Sequence, residues 1–378
     1  MSKKEITNET VSTRKKEPLI HITKRATVSK KQSILVRAGA IFASFILASI
    51  LMVIFAKENP ITLIGSIFEG AFGNSLRTWI LFSDTAILLG ISLALTPAFK
   101  MKFWNCGGEG QVMVGALVSA MFMFFVGDKV PFFVLVLLMM LSSLMIGAAW
   151  GLIPAIFRAK WNTNETLFTL MMNYIAIQFV TYFLKQFGND QGNLEPMPSF
   201  ALPEILGGQY FLNILIVALI CGGMFVYLRF TKQGYEISVV GESEKTAKYV
   251  GINVPKVIIR TMIVSGGICG IIGFLLVANG SCSVTTTIAS GRGFTAILVS
   301  WLAKFNPLYM ILTSFLVIFL QQGTSYMGDI YRLDTSFADI FIGIVLLSII
   351  GCEFLINYKI NFKKGLFGKK NKKEADEI

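Results

Sequence analysis

The chain has 378 residues, of which 54% are hydrophobic and 15% charged, with a formal net charge of +12. Soluble globular proteins carry about 25% charged residues, so too few charges are present here to cover a water-facing surface. The apolar residues come in blocks of roughly 16 to 25, each long enough to cross a ~30 Å hydrocarbon slab as a helix, which excludes a soluble enzyme, a nucleic-acid-binding domain and a secreted disulfide scaffold.

Residues 1–32 are polar and rich in Lys, Thr and Ser, and read as a disordered basic tail without the apolar core of a signal peptide. Ten Lys/Arg stand against three Glu between Lys3 and Arg37, and basic flanks remain in the cytoplasm. A transmembrane domain is expected over 33–358, with its first span at Val36–Ala56. Ile61–Phe72 is too brief to cross. Further spans are expected at Leu81–Phe99, Gln111–Val126, Phe132–Ile156, Leu167–Leu184 and Phe211–Leu228. The loop Gln186–Gly208 has no Lys or Arg, which suits the outer face. Arg229–Arg260 holds six basic residues and belongs inside. Spans at Val257–Ala278, Leu308–Gln321 and Phe337–Ile356 follow, with a short apolar segment, Gly291–Ala303, between the first two. Counting that segment as a crossing gives ten and places both basic tails inside, the second being residues 359–378 with seven Lys. The expected fold is therefore an all-α polytopic membrane protein: about ten transmembrane helices, one short or broken over 291–303, in the cell membrane with both termini cytoplasmic.

Polar groups inside apolar blocks line cavities or pair within the bundle. Trp104-Asn105-Cys106-Gly107-Gly108-Glu109-Gly110-Gln111 carries three glycines in four residues, which weakens a continuous helix. Asn105, Glu109 and Gln111 there either meet a polar solute or hold a break in a helix. Asn164 is a candidate N-cap for a helix in which Thr166, Thr169 and Asn173 share a face. They line a pathway or bond between helices. Arg292, between Gly291 and Gly293 at the start of the short segment, either attracts an anionic or carbonyl-rich group or pairs with a carboxylate. Gly266 and Gly270 are spaced for close helix packing.

One histidine, His21, and five scattered cysteines indicate neither a metal site nor a catalytic set. No nucleophile–base pair is evident, so a membrane-embedded enzyme is disfavoured. Gly241-Glu242-Ser243-Glu244-Lys245-Thr246 lacks the second glycine of a phosphate loop and puts a carboxylate there instead. The surrounding polar stretch, with a short helix at Glu244–Val250, reads better as a docking surface. An ion-coupled secondary transporter is the main competitor. It needs a titratable carboxylate near the midplane, and Glu109 is its one candidate.

Several runs resemble the ABC-importer permeases of the nucleoside and simple-sugar type (the branched-chain-type permease family). They are Asn105–Gln111, Asn164-Glu165-Thr166 through Thr169-Leu170-Met171-Met172-Asn173-Tyr174-Ile175-Ala176, Gly241-Glu242 with Ala247-Lys248-Tyr249-Val250-Gly251-Ile252, and Gly291–Ile297 with Asn306-Pro307-Leu308. They fall in the family's order. The resemblance implies a transport subunit without catalytic residues, moving a nucleoside or related polar solute such as a sugar. It implies a cytosolic ATPase holding ATP and Mg, a second permease subunit and an extracytoplasmic solute-binding lipoprotein as partners. Coupling to the ATPase is expected at Gly241, Glu242, Ala247 and Gly251, and the solute path or gate at Asn105, Glu109, Gln111, Asn173 and Arg292. Membrane lipid, and no nucleic acid, completes the expected surroundings.

Overall fold

Each long apolar run becomes a helix whose ends are set by a polar cap or a proline. The computed structural model describes residues 20–24, isolated positions between 35 and 53, and residues 59–189, 194–203, 210–332 and 335–362. Helix α1 (Pro60–Phe72) opens with a proline beneath Asn59, whose side chain accepts from the Ile61 N–H. Helix α2 (Ser75–Lys100) is capped by Asn74. Helices α3 (Gly108–Val126) and α4 (Phe132–Trp161) follow, and α4 stops where Asn162 turns left-handed. Asn164 caps α5 (Glu165–Phe187), as expected from its position. Then come α6 (Phe211–Phe230), the short α7 (Lys232–Glu242) and α8 (Glu244–Tyr249), and α9 (Val254–Leu276), which ends in a π turn. The last three are α10 (Arg292–Leu302), α11 (Pro307–Tyr331) and α12 (Thr335–Asn357).

Seven of the described helices are long and apolar enough to cross a membrane: α2, α3, α4, α5, α6, α9 and α11. The chain is an all-α polytopic membrane protein. Helix α10 has 11 residues, or about 16 Å at 1.5 Å per residue, roughly half the slab. By itself it is a half-crossing. The expected first span, Val36–Ala56, lies almost wholly outside the described residues. Helix α11 runs ten residues past Gln321, the expected end of that span, into a more polar stretch. It continues because that polarity is confined to one face, which lines a cavity described below.

The chain divides into two compact units, one of residues 56–342 and one of residues 1–55 with 343–378. In the smaller unit Ile20–Lys24 (β1) pairs antiparallel with Tyr358–Phe362 (β2), Ile20 opposite Phe362 and Lys24 opposite Tyr358. A strand therefore interrupts the tail read as disordered. Its alternation of Ile20 and Ile22 with polar residues has the strand period.

The centre of the larger unit is built on backbone contact between helices. A Cβ at Gly270 of α9 would lie 2.0 Å from the Ser143 carbonyl oxygen of α4, and one at Gly147 of α4 would lie 2.3 Å from the Gly266 carbonyl oxygen. Only glycine permits these crossings. In a bundle surrounded by lipid, such close packing replaces the hydrophobic drive available in water.

Candidate solute path and coupling surface

The chain between α2 and α3 is not helical, so its N–H and C=O groups need partners inside the bundle. The predicted polar residues supply them. The Thr169 hydroxyl accepts from Cys106 N (3.1 Å). Asn173 Oδ1 accepts from Gly110 N at 2.8 Å while its Nδ2 donates to the Cys106 carbonyl at 2.9 Å. Asn105 Oδ1 accepts from Gly107 N (3.1 Å), and its Nδ2 lies 3.2 Å from Ser265 Oγ of α9. Gln111 exchanges bonds with Asn105 at 3.3 and 3.4 Å. Asn105, Gln111, Thr169 and Asn173 are all buried. This geometry fits the reading in which Asn105 and Gln111 hold a break in a helix and the one in which Thr169 and Asn173 bond between helices. Asn173→Ala should therefore cost about 2–4 kcal/mol, because it strands a buried N–H and a half-buried C=O. Thermal unfolding of the detergent-purified protein measures this, and an unchanged midpoint would contradict it.

Glu109 belongs to a second arrangement. Its carboxylate is buried and accepts from Gly291 N at 2.8 Å and Gly293 N at 2.7 Å. It thus caps α10, a helix distant in sequence, and a negative charge there also suits the helix dipole. Gly293 must be glycine, since a Cβ would lie 2.4 Å from Glu109 N.

Arg292 turns the other way. Its Nη2 bonds Asp84 Oδ1 of α2 at 3.0 Å, and its buried Nε has no partner among the described residues. Both residues line a cavity of about 450 Å³ between α1, α2, α10 and α11. Arg77 and Asp329 add one charge of each sign to the lining, and Gln321 and Gln322 add amides. The Arg77 guanidinium lies 3.9 Å from the Tyr326 ring centroid. Gln322 donates to the Gly70 and Arg77 carbonyls, leaving its buried Oε1 unpaired. Tyr210, just before α6, has its phenol held above the ordinary value by burial and by the charge of Asp84. Of the five expected path residues, then, only Arg292 lines this cavity. Sequence reasoning missed Arg77, Gln321, Gln322 and Asp329. The signal was present: Gln321, Ser325 and Asp329 recur every four residues, the spacing of one helix face.

At the end of the bundle where α2 finishes, α7 and α8 form a platform. A Cβ at Gly241 would lie 2.1 Å from the Lys100 carbonyl oxygen, so α7 rests directly on the end of α2. Ala247 is the fully buried residue of α8, and Gly251, at φ +82°, ends the segment in a conformation that favours glycine. Glu242 is exposed, its carbonyl 3.5 Å from Lys102 Nζ. Tyr249 is 92% exposed and Val250 62%, so the platform presents an outward apolar tip that the sequence reading did not single out.

Residues 75–350 match the family model described as the permease component of the branched-chain amino acid transport system. The chain belongs to this family. The permease is 27% identical over 319 residues to the nucleoside ABC transporter permease protein NupB of Lactococcus lactis, covering 80% of this chain and 86% of that one. It is 26% identical over 295 residues to the guanosine ABC transporter permease protein NupP of Bacillus subtilis (75% and 82% covered). It is also 26% identical over 292 residues to the glucose ABC transporter permease protein TsgB13 of Haloferax volcanii (72% and 75%). No solved structure matches the permease significantly. Family and helices together make it a multi-pass membrane transport subunit of an ABC importer, a system that includes an ATPase and a binding protein. The ion-coupled reading has no support in these relatives, and Glu109, the carboxylate it required, is engaged by two backbone N–H groups.

Proposed function

We propose that this permease passes a nucleoside, or a related neutral polar solute such as a sugar, that an extracytoplasmic binding lipoprotein delivers. A second permease subunit stands beside it, and a cytosolic ATPase holding ATP and Mg drives the cycle from the α7–α8 platform. The cavity at Arg292 carries this reading. Its lining pairs Arg77 and Arg292 with Asp84 and Asp329. Equal numbers of each sign favour a neutral, hydrogen-bonding solute over a phosphate. The amides of Gln321 and Gln322 and the Tyr326 side chain add neutral polar groups to the same lining. The names of the nucleoside, guanosine and glucose relatives support the same solute class. Cytoplasmic termini are part of the proposal, supported by the β1–β2 pairing, which brings residues 20–24 and 358–362 together.

The deciding measurement is uptake of labelled nucleoside by the assembled importer, with glucose and a nucleoside monophosphate as competitors. Uptake should stop on ATP depletion, persist when ion gradients are collapsed, and resist the monophosphate. Competition by the monophosphate as strong as by nucleoside would refute the neutral-solute reading. Arg292→Gln removes a charge-assisted bond worth about 1.5–3 kcal/mol, so uptake should fall roughly ten- to hundredfold. Gly241→Val should leave basal ATP hydrolysis intact while uptake collapses, because the added side chain lifts α7 from the Lys100 carbonyl. If hydrolysis and uptake stay coupled in this variant, the platform is not the drive.

A further inference from the structure

At the end of the bundle that carries α7 and α8, one guanidinium meets three segments. Arg158, in the last turn of α4, offers a different nitrogen to each. Its Nη1 donates to Asn162 Oδ1, in the turn that ends α4. Its Nε lies 3.5 Å from Glu165 Oε2, on the first residue of α5. Its Nη2 lies 3.5 Å from Glu244 Oε1, on the first residue of α8. An arginine fork holds its N–H donors in one fixed plane, which suits contact with more than one acceptor at once. The two carboxylates differ in setting. The Glu165 side chain is 13% exposed and that of Glu244 is 50% exposed. Water screens the half-exposed Glu244 arm, so it opens more readily than the Glu165 arm.

Glu165 also stands at the head of a line of polar residues. Glu165, Thr169 and Asn173 recur every four residues, on one face of α5. Thr169 holds Cys106 N, and Asn173 holds Gly110 N and the Cys106 carbonyl. Gly110 adjoins Glu109, which caps α10 on either side of Arg292. A continuous set of contacts thus leads from the first residue of α8 to the start of the half-helix that borders the polar cavity.

We infer that Arg158 is a positioning residue: it ties the platform to this set of contacts, so that a displacement of α8 passes to α5, to the break between α2 and α3, and to α10. The inference rests on the reading of α7 and α8 as the surface that the ATPase drives. A separate tie joins α7 to α9, where Glu236 bonds Arg260 at 3.0 Å, so the two short helices are fastened to different parts of the bundle. While one guanidinium holds both carboxylates, α8 and α5 move together. When the Glu244 contact opens, α8 moves without α5.

Cys106 is a native reporter at the break. It is half-buried, whereas the other four cysteines are buried. The test follows its modification by a small methanethiosulfonate in the assembled importer, without nucleotide and with ATP and vanadate, by peptide mass spectrometry. In the wild type the rate at Cys106 should differ between the two conditions, and equal rates overturn the inference. Glu244→Gln removes one partly exposed ion pair, so the nucleotide-dependent difference should shrink about two- to fivefold. An undiminished difference overturns the inference. Arg158→Gln should shrink it at least as far, and the double variant no further than Arg158→Gln alone, because the two residues act through one contact. Single effects that multiply in the double variant show independent roles and overturn it too. Glu244→Gln should also melt like the parent, and a lowered midpoint would make the contact merely structural. Should Arg158→Gln not fold, Glu244→Lys decides: it repels Arg158, so the difference should shrink further than with Gln, and a retained difference is contrary evidence. Gly241→Val separates this result from the platform reading. If that variant uncouples hydrolysis from uptake while the Cys106 difference persists in Glu244→Gln, the platform stands and the role of Arg158 falls.

Discussion

Glu109→Ala is expected to destabilise the permease by about 2–4 kcal/mol and to abolish uptake, since it leaves one buried and one half-buried backbone N–H without an acceptor. Those N–H groups belong to Gly291 and Gly293. They start a half-helix of 11 residues. Arg292 sits between them, so freeing them also releases the charged group that lines the polar cavity. Glu109→Gln separates the alternatives. Its amide retains one acceptor oxygen but turns an N–H₂ toward the other donor, so about half of the stability loss should remain, with a proportionate loss of uptake. If Glu109 instead carried a coupling proton, the Gln variant would lose transport while melting like the wild type. Thermal unfolding and uptake measured on the same preparations distinguish these outcomes.

Gly270→Leu should prevent accumulation of folded protein. The Cβ alone would meet the Ser143 carbonyl oxygen at 2.0 Å and lie 2.8 Å from that residue's carbonyl carbon. Neither neighbour is a flexible side chain, so α4 and α9 must separate. Overpacking a core commonly costs about 1–3 kcal/mol, and a backbone collision belongs at or beyond the upper end. The same separation would pull Gly266 away from Gly147, and Gly115 away from Gly270, since these contacts share one seam. Gly222→Leu is the matched control. A Cβ at Gly222 of α6 meets nothing within 4 Å, so this variant should express and melt like the parent. Equal behaviour of the two variants in fluorescence-detected size-exclusion would show that the seam does not hold the bundle together.

Much of the architecture follows from local chemistry and was legible in the linear chain. Apolar runs of about 20 residues become helices, because only a helix satisfies a segment's backbone groups in lipid without a neighbouring strand. Asn164 could be assigned as a cap from its position ahead of Glu165 and an apolar run, and its side chain does accept from Leu167 N. The Gly266–Gly270 spacing announced a close crossing, although not with which helix. The short helix expected at Glu244–Val250 was also readable, and it forms over Glu244–Tyr249 with Ser243 as its cap.

What tertiary structure alone decided is which polar groups meet. Glu109 and Gly291 are 182 positions apart, and Arg292 and Asp84 are 208 apart; no periodicity links residues at such distances. Asn105, Gln111 and Asn173 had the composition of a solute path, yet each makes hydrogen bonds to the protein, two of them to the backbone of one break. An open polar surface lies where α11 continues past Gln321. There four charges from three helices face the same space. Hydropathy records how much of a segment is apolar. It does not record which side of the helix a neighbour leaves uncovered, and that is set only when the bundle closes.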